Sequence, residues 1–326
     1  MSTLLSVNDL LVTFPLKTDF PWQKTPLLTA VNHLSFQLNT GKTIAIVGES
    51  GCGKSTLARS LMGLTPIISG QILWHGEDVT HPTLKQQRQL CKERQMIFQD
   101  PFNSLNPRIP VGEIIGEPLR YMMPELSSAQ RQERVIAIMQ RVGLSSEQRL
   151  RYPHEFSGGQ CQRIGIARAL ITQPQLLICD EPVSALDVSI QAQIINLLKE
   201  LQETFNLSLV FITHNLSVAK HISDTILVMY LGKIMEIGDK EAIFNDPQHP
   251  YTKLLLQAVP VPDPIIERQK PPVCLTDELP SPLNPPSGCV FRTRCAYVVP
   301  QCATIVPQLK DLSTGNKVAC LLVEES

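Results

Sequence analysis

The chain has 326 residues, with 29 basic and 30 acidic side chains and a formal net charge of −1 at pH 7. That length allows one large α/β domain plus a smaller appendage, and the near-neutral charge argues against nucleic-acid binding as the main function. No stretch reaches the roughly 18–20 uncharged apolar residues that span a bilayer, and no secretory signal begins the sequence, so we expect a cytosolic protein with reduced cysteines.

The first predicted elements are short strands at 4–14 and 30–38, followed by an apolar strand at 43–47 and a helix-forming run at 56–61. Between the last two lies a sequence of the form G-x-x-x-x-G-K-[ST], which predicts a loop for a nucleoside triphosphate. Its glycines let backbone N–H groups turn toward phosphate oxygens, while its lysine adds a charge and its serine a hydroxyl for Mg²⁺. The predicted ATP- and Mg²⁺-binding residues here are Gly48, Glu49, Ser50, Gly51, Cys52, Gly53, Lys54, Ser55 and Thr56.

Residues 100–168 are predicted to be mainly helical, with an S-x-x-Q capping box at 127–130. A buried strand follows at 176–179, then a helix at about 189–204 and strands at 208–213 and 225–230. Because strands alternate with helices, the sequence predicts a parallel sheet covered on both faces.

Two adjacent acids, Asp180 and Glu181, follow the strand at 176–179 and precede Pro182. Adjacent acids ordinarily mark a solvated turn, but the four apolar residues before them favour a site at the end of a buried strand. There Asp180 would hold Mg²⁺ together with Ser55, and Glu181 would act as the general base that polarises an attacking water.

The last part of the chain changes in composition. Residues 260–286 are rich in proline and read as a stiff extended linker, and residues 287–326 form a tail with four cysteines, Cys289, Cys295, Cys302 and Cys320. Their spacing differs from that of zinc ribbons and ferredoxins. Spacing alone leaves two alternatives, metal ligands or free structural thiols, while the reducing compartment disfavours disulfides.

A second short motif, Ser157-Gly158-Gly159-Gln160, resembles the signature sequence of the ATP-binding cassette (ABC) ATPases. The other motifs of that family occur in the same order: Gln99 resembles the Q-loop glutamine, 176–181 the Walker B strand with its catalytic glutamate, Asp187 the D-loop and His214 the switch histidine. The resemblance implies an α/β P-loop NTPase fold, an ABC-type nucleotide-binding domain over 1–259. It would have a RecA-like core, a small β subdomain, a helical subdomain at about 100–168 and a small cysteine-rich C-terminal extension.

The same resemblance implies ATP hydrolysis with Mg²⁺, with Glu181, His214 and Gln99 as catalytic residues. ATP would be bound between the phosphate loop of one subunit and the signature of another, so that Ser157, Gly158, Gly159 and Gln160 serve the partner's nucleotide. The family stacks adenine on an aromatic residue of the first strand, for which Phe14 is the best match, with Phe20 and Trp22 as rivals. The alternative for Phe14 is an ordinary core phenylalanine.

Segments 98–108, 249–252 and 279–286 resemble the oligopeptide/dipeptide importer ATPases, and nearly the whole chain is similar to the F-type subunit of a bacterial dipeptide permease. That family implies a peripheral position on the cytoplasmic face of the inner membrane. The implied partners are a paralogous D-type ATPase, two membrane-spanning permeases and an extracytoplasmic peptide-binding protein, with no nucleic acid. It also implies a [4Fe–4S] cluster on the four tail cysteines.

Several alternatives remain open at this point. Relatives of the same importers serve nickel, glutathione, antimicrobial-peptide or haem-linked uptake. A soluble ABC ATPase outside transport would typically carry coiled-coil insertions or two cassettes, neither of which occurs here. A regulatory module that binds nucleotide without hydrolysing it would not need the catalytic residues Glu181, His214 and Gln99. A P-loop kinase would not explain the signature motif at 157–160.

Overall fold

The computed structural model describes residues 2–16, 25–259, 280–313 and 315–323. The chain divides into two compact units. The first comprises Met1–Leu5, Leu38–Thr43 and Leu73–Ile212, and the second comprises Ser6–Gln37, Ile44–Ile72 and Thr213–Ser326.

Twelve strands occur in the described residues: β1 Thr3–Pro15, β2 Leu27–Asn39, β3 Thr43–Val47, β4 Ser69–Trp74, β5 Glu77–Asp78, β6 Arg94–Ile97, β7 Leu176–Asp180, β8 Ser208–Thr213, β9 Thr225–Tyr230, β10 Lys233–Asp239, β11 Lys310–Asp311 and β12 Lys317–Val318. Nine α-helices accompany them in the same part of the chain: α1 Lys54–Leu61, α2 Leu84–Glu93, α3 Val111–Met122, α4 Ser128–Arg141, α5 Gly158–Leu170, α6 Val188–Phe205, α7 Leu216–Ile222, α8 Lys240–Asn245 and α9 Pro250–Gln257. Short 3-10 turns lie at Ser146–Leu150, Pro153–Glu155 and Pro300–Ala303.

The first unit is built on three parallel strands in the order β8-β7-β6. Every residue of β7 and β8 is buried, which explains why these strands read as continuous apolar runs without alternation. Helices α3, α4 and α5 pack against one another in the region predicted to be helical. Because the strands are parallel, Asp180 and the residues after Ile97 lie at the same edge of the sheet.

The second unit contains β3 and β9 as a parallel pair, continued by antiparallel β10, β12 and β11 in the order β11-β12-β10-β9-β3. Most of β1, β2 and β4 also belongs to this unit, in the order β2-β1-β4. The strands β1 and β2 span 13 residues each, so they are longer than the short strands expected from the sequence. Residues 17–24, which include Phe20, Pro21 and Trp22, lie outside the described residues.

The described tail residues share a hydrophobic core with the rest of the second unit. Phe291 and Cys302 pack in one cluster with Val228 and Tyr230 of β9 and Tyr251 of α9. In addition, β12 extends the sheet next to β10, pairing Glu236 with Val318. The tail is therefore packed onto the same core as β3 and β9. Most of the predicted proline-rich linker (260–279) and Cys274 lie outside the described residues.

No helix in the described residues is long and apolar enough to cross a membrane.

The start of α9 is fixed by buried polar groups. The Glu236 carboxylate on β10 accepts hydrogen bonds from the backbone N–H groups of Gln248 (2.8 Å) and His249 (3.0 Å). His249 Nδ1 then accepts from the N–H of Tyr251 at 3.0 Å and caps the helix. Burial lowers the pKa of His249 from 6.5 to about 4 and raises the pKa of Glu236.

A lowered histidine pKa predicts a specific loss of stability in mild acid. Between pH 6.5 and 4 the unfolded chain binds a proton at residue 249 that the folded chain does not bind, so stability falls as pH falls through this window. From pH 7 to pH 5 the free energy of unfolding of the wild type should drop by about 2 kcal/mol from this group. The change is measured by denaturant unfolding at the two pH values.

The matched variant is His249→Asn, because asparagine also caps a helix but does not titrate. It should lose about 2 kcal/mol less than the wild type between pH 7 and pH 5. Equal losses for the two proteins would show that His249 is not the titrating group.

Candidate nucleotide-binding site

The phosphate loop lies in the second unit, between β3 and α1. Its first and last glycines have positive φ, +154° at Gly48 and +106° at Gly53. A Cβ at Gly48 would lie 2.1 Å from the carbonyl oxygen of Met229, and a Cβ at Gly53 would lie 2.0 Å from that of Ala30. Both neighbours are backbone atoms that cannot move aside as a side chain could. The glycines are therefore required by close backbone approach and by conformation.

Lys54 is folded over this loop. It is 4% exposed, and its Nζ donates hydrogen bonds to the carbonyl oxygens of Gly48 (2.8 Å) and Glu49 (2.9 Å). Cys52 lies in the turn beside it, and burial raises the pKa of its thiol. Ser55 and Thr56 follow in the first turn of α1. The loop thus gathers a buried ammonium group, a helix N-terminus and hydroxyl groups, the features that bind phosphate in proteins.

The first unit brings two of the predicted catalytic residues together. Asp180 ends β7 and is 4% exposed, and Glu181 follows with φ +45°. The backbone N–H of Glu181 donates to the carbonyl of Ile212 on β8 at 3.1 Å. Gln99 Nε2 donates to Glu181 Oε2 at 3.3 Å. A positive φ at a non-glycine residue is uncommon and costs free energy, so the bend at Glu181 is held by the surrounding structure.

The signature residues form the N-terminus of α5. Ser157 Oγ accepts from the N–H of Gln160 at 3.4 Å, and Gln160 Oε1 accepts from the N–H of Ser157 at 3.0 Å, which makes a capping box. The helix begins at Gly158, because Ser157 is the capping residue. A Cβ at Gly159 would lie 2.6 Å from Cγ2 of Ile190. Close packing thus explains the glycine, and the signature is a rigid helix start.

The remaining predicted residues lie at element ends. His214 is exposed in a short turn between β8 and α7, where Thr213 Oγ1 accepts from the N–H of Asn215 at 3.0 Å. Asp187 is the N-terminal cap residue of α6. Phe14 lies near the end of β1 and is half-buried, and its role in adenine stacking stays a prediction.

Two residues that the sequence did not assign to the site contact Glu49 of the phosphate loop. Arg294 forms a bidentate ion pair with its carboxylate, Nη1–Oε2 at 2.8 Å and Nη2–Oε1 at 3.0 Å. The Tyr251 hydroxyl accepts a hydrogen bond from the Glu49 N–H at 3.0 Å. Arg294 and Tyr251 are about two hundred or more positions away in the chain, and no local pattern marks either as a partner of the loop.

The four tail cysteines form a group of thiols in the second unit. Cys289, Cys302 and Cys320 are buried and Cys295 is half-buried. Burial raises the pKa of Cys289, and the other three thiols raise it further, so all four are close enough to interact electrostatically. In the part of the chain that the structure describes, no group of three or more His, Cys, Asp or Glu side chains is arranged to hold a metal ion. Four cysteine thiols are nevertheless the donor type that holds iron–sulfur clusters in proteins.

Comparison with known proteins shows which family the chain belongs to. A model of the ABC transporter family matches residues 31–184, and a model of the C-terminal region of oligopeptide/dipeptide transporters matches residues 235–302. The oligopeptide transport ATP-binding protein OppF of Haemophilus influenzae is 56% identical over 98% of this chain and 97% of its own length. The chain belongs to the family of oligopeptide and dipeptide ABC transporter ATP-binding proteins.

Other members of the family support this membership. OppF of Salmonella typhimurium is 54% identical over 98% of this chain and 96% of its own length. The dipeptide transport ATP-binding protein DppF of Escherichia coli is 47% identical over 99% and 95%. Each covers nearly all of this ABC protein, including its C-terminal region.

Solved structures confirm the P-loop NTPase fold of the ABC type. CbiO1 of Clostridium perfringens, part of an ABC transporter complex, is 26% identical, with a TM-score of 0.65 over 76% of this chain and 92% of its own. A dimeric ATP-binding cassette bound to ADP and phosphate is similar in fold, with a TM-score of 0.65 over 73% of this chain and 99% of its own at 24% identity.

The glycine geometry predicts that Gly53→Ala destabilises the protein. The added Cβ would lie 2.0 Å from the Ala30 carbonyl oxygen, and the alanine backbone would have to adopt a φ near +106°. Backbone strain and overpacking each cost about 1–3 kcal/mol, so the free energy of unfolding should fall by roughly 2–5 kcal/mol. Urea unfolding of the full chain measures the loss.

Gly165→Ala in α5 is the control, because an added Cβ meets no atom within 4 Å there. This variant should be stabilised by about 0.5–1 kcal/mol through helix propensity. Similar stability of the two variants would contradict the close approach at Gly53.

Proposed function

We propose that this chain is the ATP-hydrolysing subunit of a membrane importer for dipeptides or oligopeptides. The observation that carries the proposal is the similarity of almost the whole chain to oligopeptide transport ATP-binding proteins, at 56% identity for the Haemophilus influenzae protein. The match of residues 235–302 to the C-terminal region of oligopeptide/dipeptide transporters also supports the proposal.

In this proposal the phosphate loop binds the β- and γ-phosphates of ATP, with Lys54 supplying charge and Ser55 a hydroxyl ligand for Mg²⁺. Asp180 supplies a carboxylate ligand for Mg²⁺, since hard oxygen donors are what Mg²⁺ prefers. Glu181 polarises the attacking water, Gln99 holds the Glu181 carboxylate in place, and His214 contacts the γ-phosphate. Phosphoryl transfer needs positioning and charge neutralisation, and each of these residues contributes one of them.

The signature residues Ser157–Gln160 bind the nucleotide of a second ATPase subunit, because they form the start of α5 and the N-terminus of a helix attracts phosphate. Asp187, at the start of α6, acts in the same dimer. The proposed partners are a paralogous D-type ATPase, two permease subunits and an extracytoplasmic peptide-binding protein. Partnership with the permeases would keep the chain at the cytoplasmic face of the membrane, and hydrolysis would open the dimer and move them.

We infer that Cys289, Cys295, Cys302 and Cys320 hold a [4Fe–4S] cluster. The support is the donor type and its setting: four cysteines within the tail, of which Cys289, Cys302 and Cys320 are buried and Cys295 is half-buried. Such a cluster would be held by one Fe–S bond from each of the four cysteines and would link residues that lie up to 31 positions apart in the tail. The tail thus gains a covalent link between its two ends.

Transport is tested in a bacterial strain from which the gene for this chain has been deleted. Uptake of a radiolabelled dipeptide and of a longer peptide should be lost and restored by the wild-type chain. Glu181→Gln should not restore uptake, because removal of a general base typically lowers the rate by about 10²–10⁴. Restoration by Glu181→Gln, or peptide uptake that never depended on the chain, would refute the proposal; uptake of a free amino acid is the control.

The cluster is tested by anaerobic purification of the full chain. Iron and acid-labile sulfide should each be present at about four per polypeptide, as the [4Fe–4S] formula requires. Cys295→Ser should lose both, whereas Cys91→Ser, on a half-buried cysteine of α2, should keep them. Stoichiometric zinc, or no metal in freshly prepared protein, would exclude the cluster.

A further inference from the structure

The C-terminal tail reaches the phosphate loop through one ion pair. The Arg294 side chain is 5% exposed and the Glu49 side chain 23% exposed, so the pair is largely removed from water. Its geometry is bidentate, and Arg294 Nη1 lies 3.4 Å from the Tyr230 hydroxyl. A buried bidentate pair fixes the orientation of both partners, and loss of either one leaves the other charge without compensation.

Glu49 is held at its backbone as well as at its side chain. Its N–H donates to the hydroxyl oxygen of Tyr251, which is fully buried and whose pKa is raised by that burial, so the hydroxyl stays neutral. Its carbonyl oxygen accepts from Lys54 Nζ at 2.9 Å. One residue of the loop therefore links Arg294 and Tyr251 to Lys54.

The groups that hold Glu49 lie in a packed aromatic cluster. Tyr230, Tyr251 and Phe291 pack ring against ring, with centroid distances of 4.8 Å, 5.4 Å and 5.2 Å. Arg294 also lies over the Tyr230 ring, with Cζ 5.8 Å from its centroid. Because these aromatic side chains belong to β9, α9 and the tail, the position of Glu49 depends on the packing of all three elements.

We propose that Arg294 and Tyr251 are positioning residues for ATP binding, which act through Glu49 to hold the phosphate loop open to the β- and γ-phosphates. The inference rests on the proposed function of the loop. Neither residue touches the nucleotide in this proposal: Arg294 fixes the side chain of Glu49, and Tyr251 fixes its backbone N–H. A preorganised loop loses less conformational entropy when ATP binds, so release of these contacts weakens affinity.

The first test is the Mg·ATP dissociation constant of the full chain, measured with a fluorescent ATP analogue well below the unfolding temperature. Arg294→Ala should raise the dissociation constant about tenfold, and Arg294→Lys should raise it less, since lysine keeps the charge but not the bidentate geometry. Arg292→Ala is the matched control, because Arg292 donates to Ser287 in the same tail. It should bind ATP like the wild type.

A double variant tests whether Arg294 acts through Glu49. Glu49→Ala/Arg294→Ala should bind ATP no more weakly than Glu49→Ala alone, because the second substitution removes a contact that is already absent. Additive losses would overturn the inference, as would a lower melting temperature of Arg294→Ala with an unchanged dissociation constant. Tyr251→Phe, which removes only the hydroxyl, should weaken ATP binding severalfold. This variant replaces Arg294→Ala in the test if Arg294→Ala does not fold.

Lys54→Ala separates failure of this inference from failure of the proposed function. If the wild type binds ATP, Lys54→Ala does not, and the Arg294 and Tyr251 variants bind like the wild type, only the positioning role is wrong. If the wild type fails to bind ATP, or if Lys54→Ala binds normally, the proposed function fails and the positioning role with it.

Discussion

The phosphate loop depends on two places where backbone passes within contact distance of backbone. Gly48 lies against the carbonyl of Met229 and Gly53 against that of Ala30, and no side chain fits at either position. The loop is therefore held from both sides by strands of its own unit, β9 and β2. This constraint places Lys54 inside the loop and sets the direction of α1, whose N-terminus provides the positive end for an anion.

The second constraint is the bend at the end of β7. A buried parallel strand delivers Asp180 to the edge of the sheet, and the chain then turns through a positive φ at Glu181. That turn is stabilised by a hydrogen bond to Ile212 and leaves the Glu181 carboxylate within hydrogen-bond distance of Gln99. Strain at one residue is thus offset by bonds that the surrounding sheet provides.

Much of the fold followed from short-range patterns. Buried strands such as β3 and β8 are continuous apolar runs, and the caps of α4 and α5 have a serine followed three residues later by glutamine. These signals involve only residues that are close together in the chain, so they can be recognised in the sequence. The sequence was less informative for α7, α8 and α9, because helices of six to eight residues carry few periodic positions.

By itself the sequence determined the residue types of the site: the loop glycines with Lys54, the acids after β7 and the signature motif. Only the tertiary structure decided which distant groups support them. Arg294 is separated from Glu49 by 245 positions and contacts it because tail and loop pack on one aromatic core. Such contacts depend on the path of the whole chain through space, and no spacing within a sequence window encodes them.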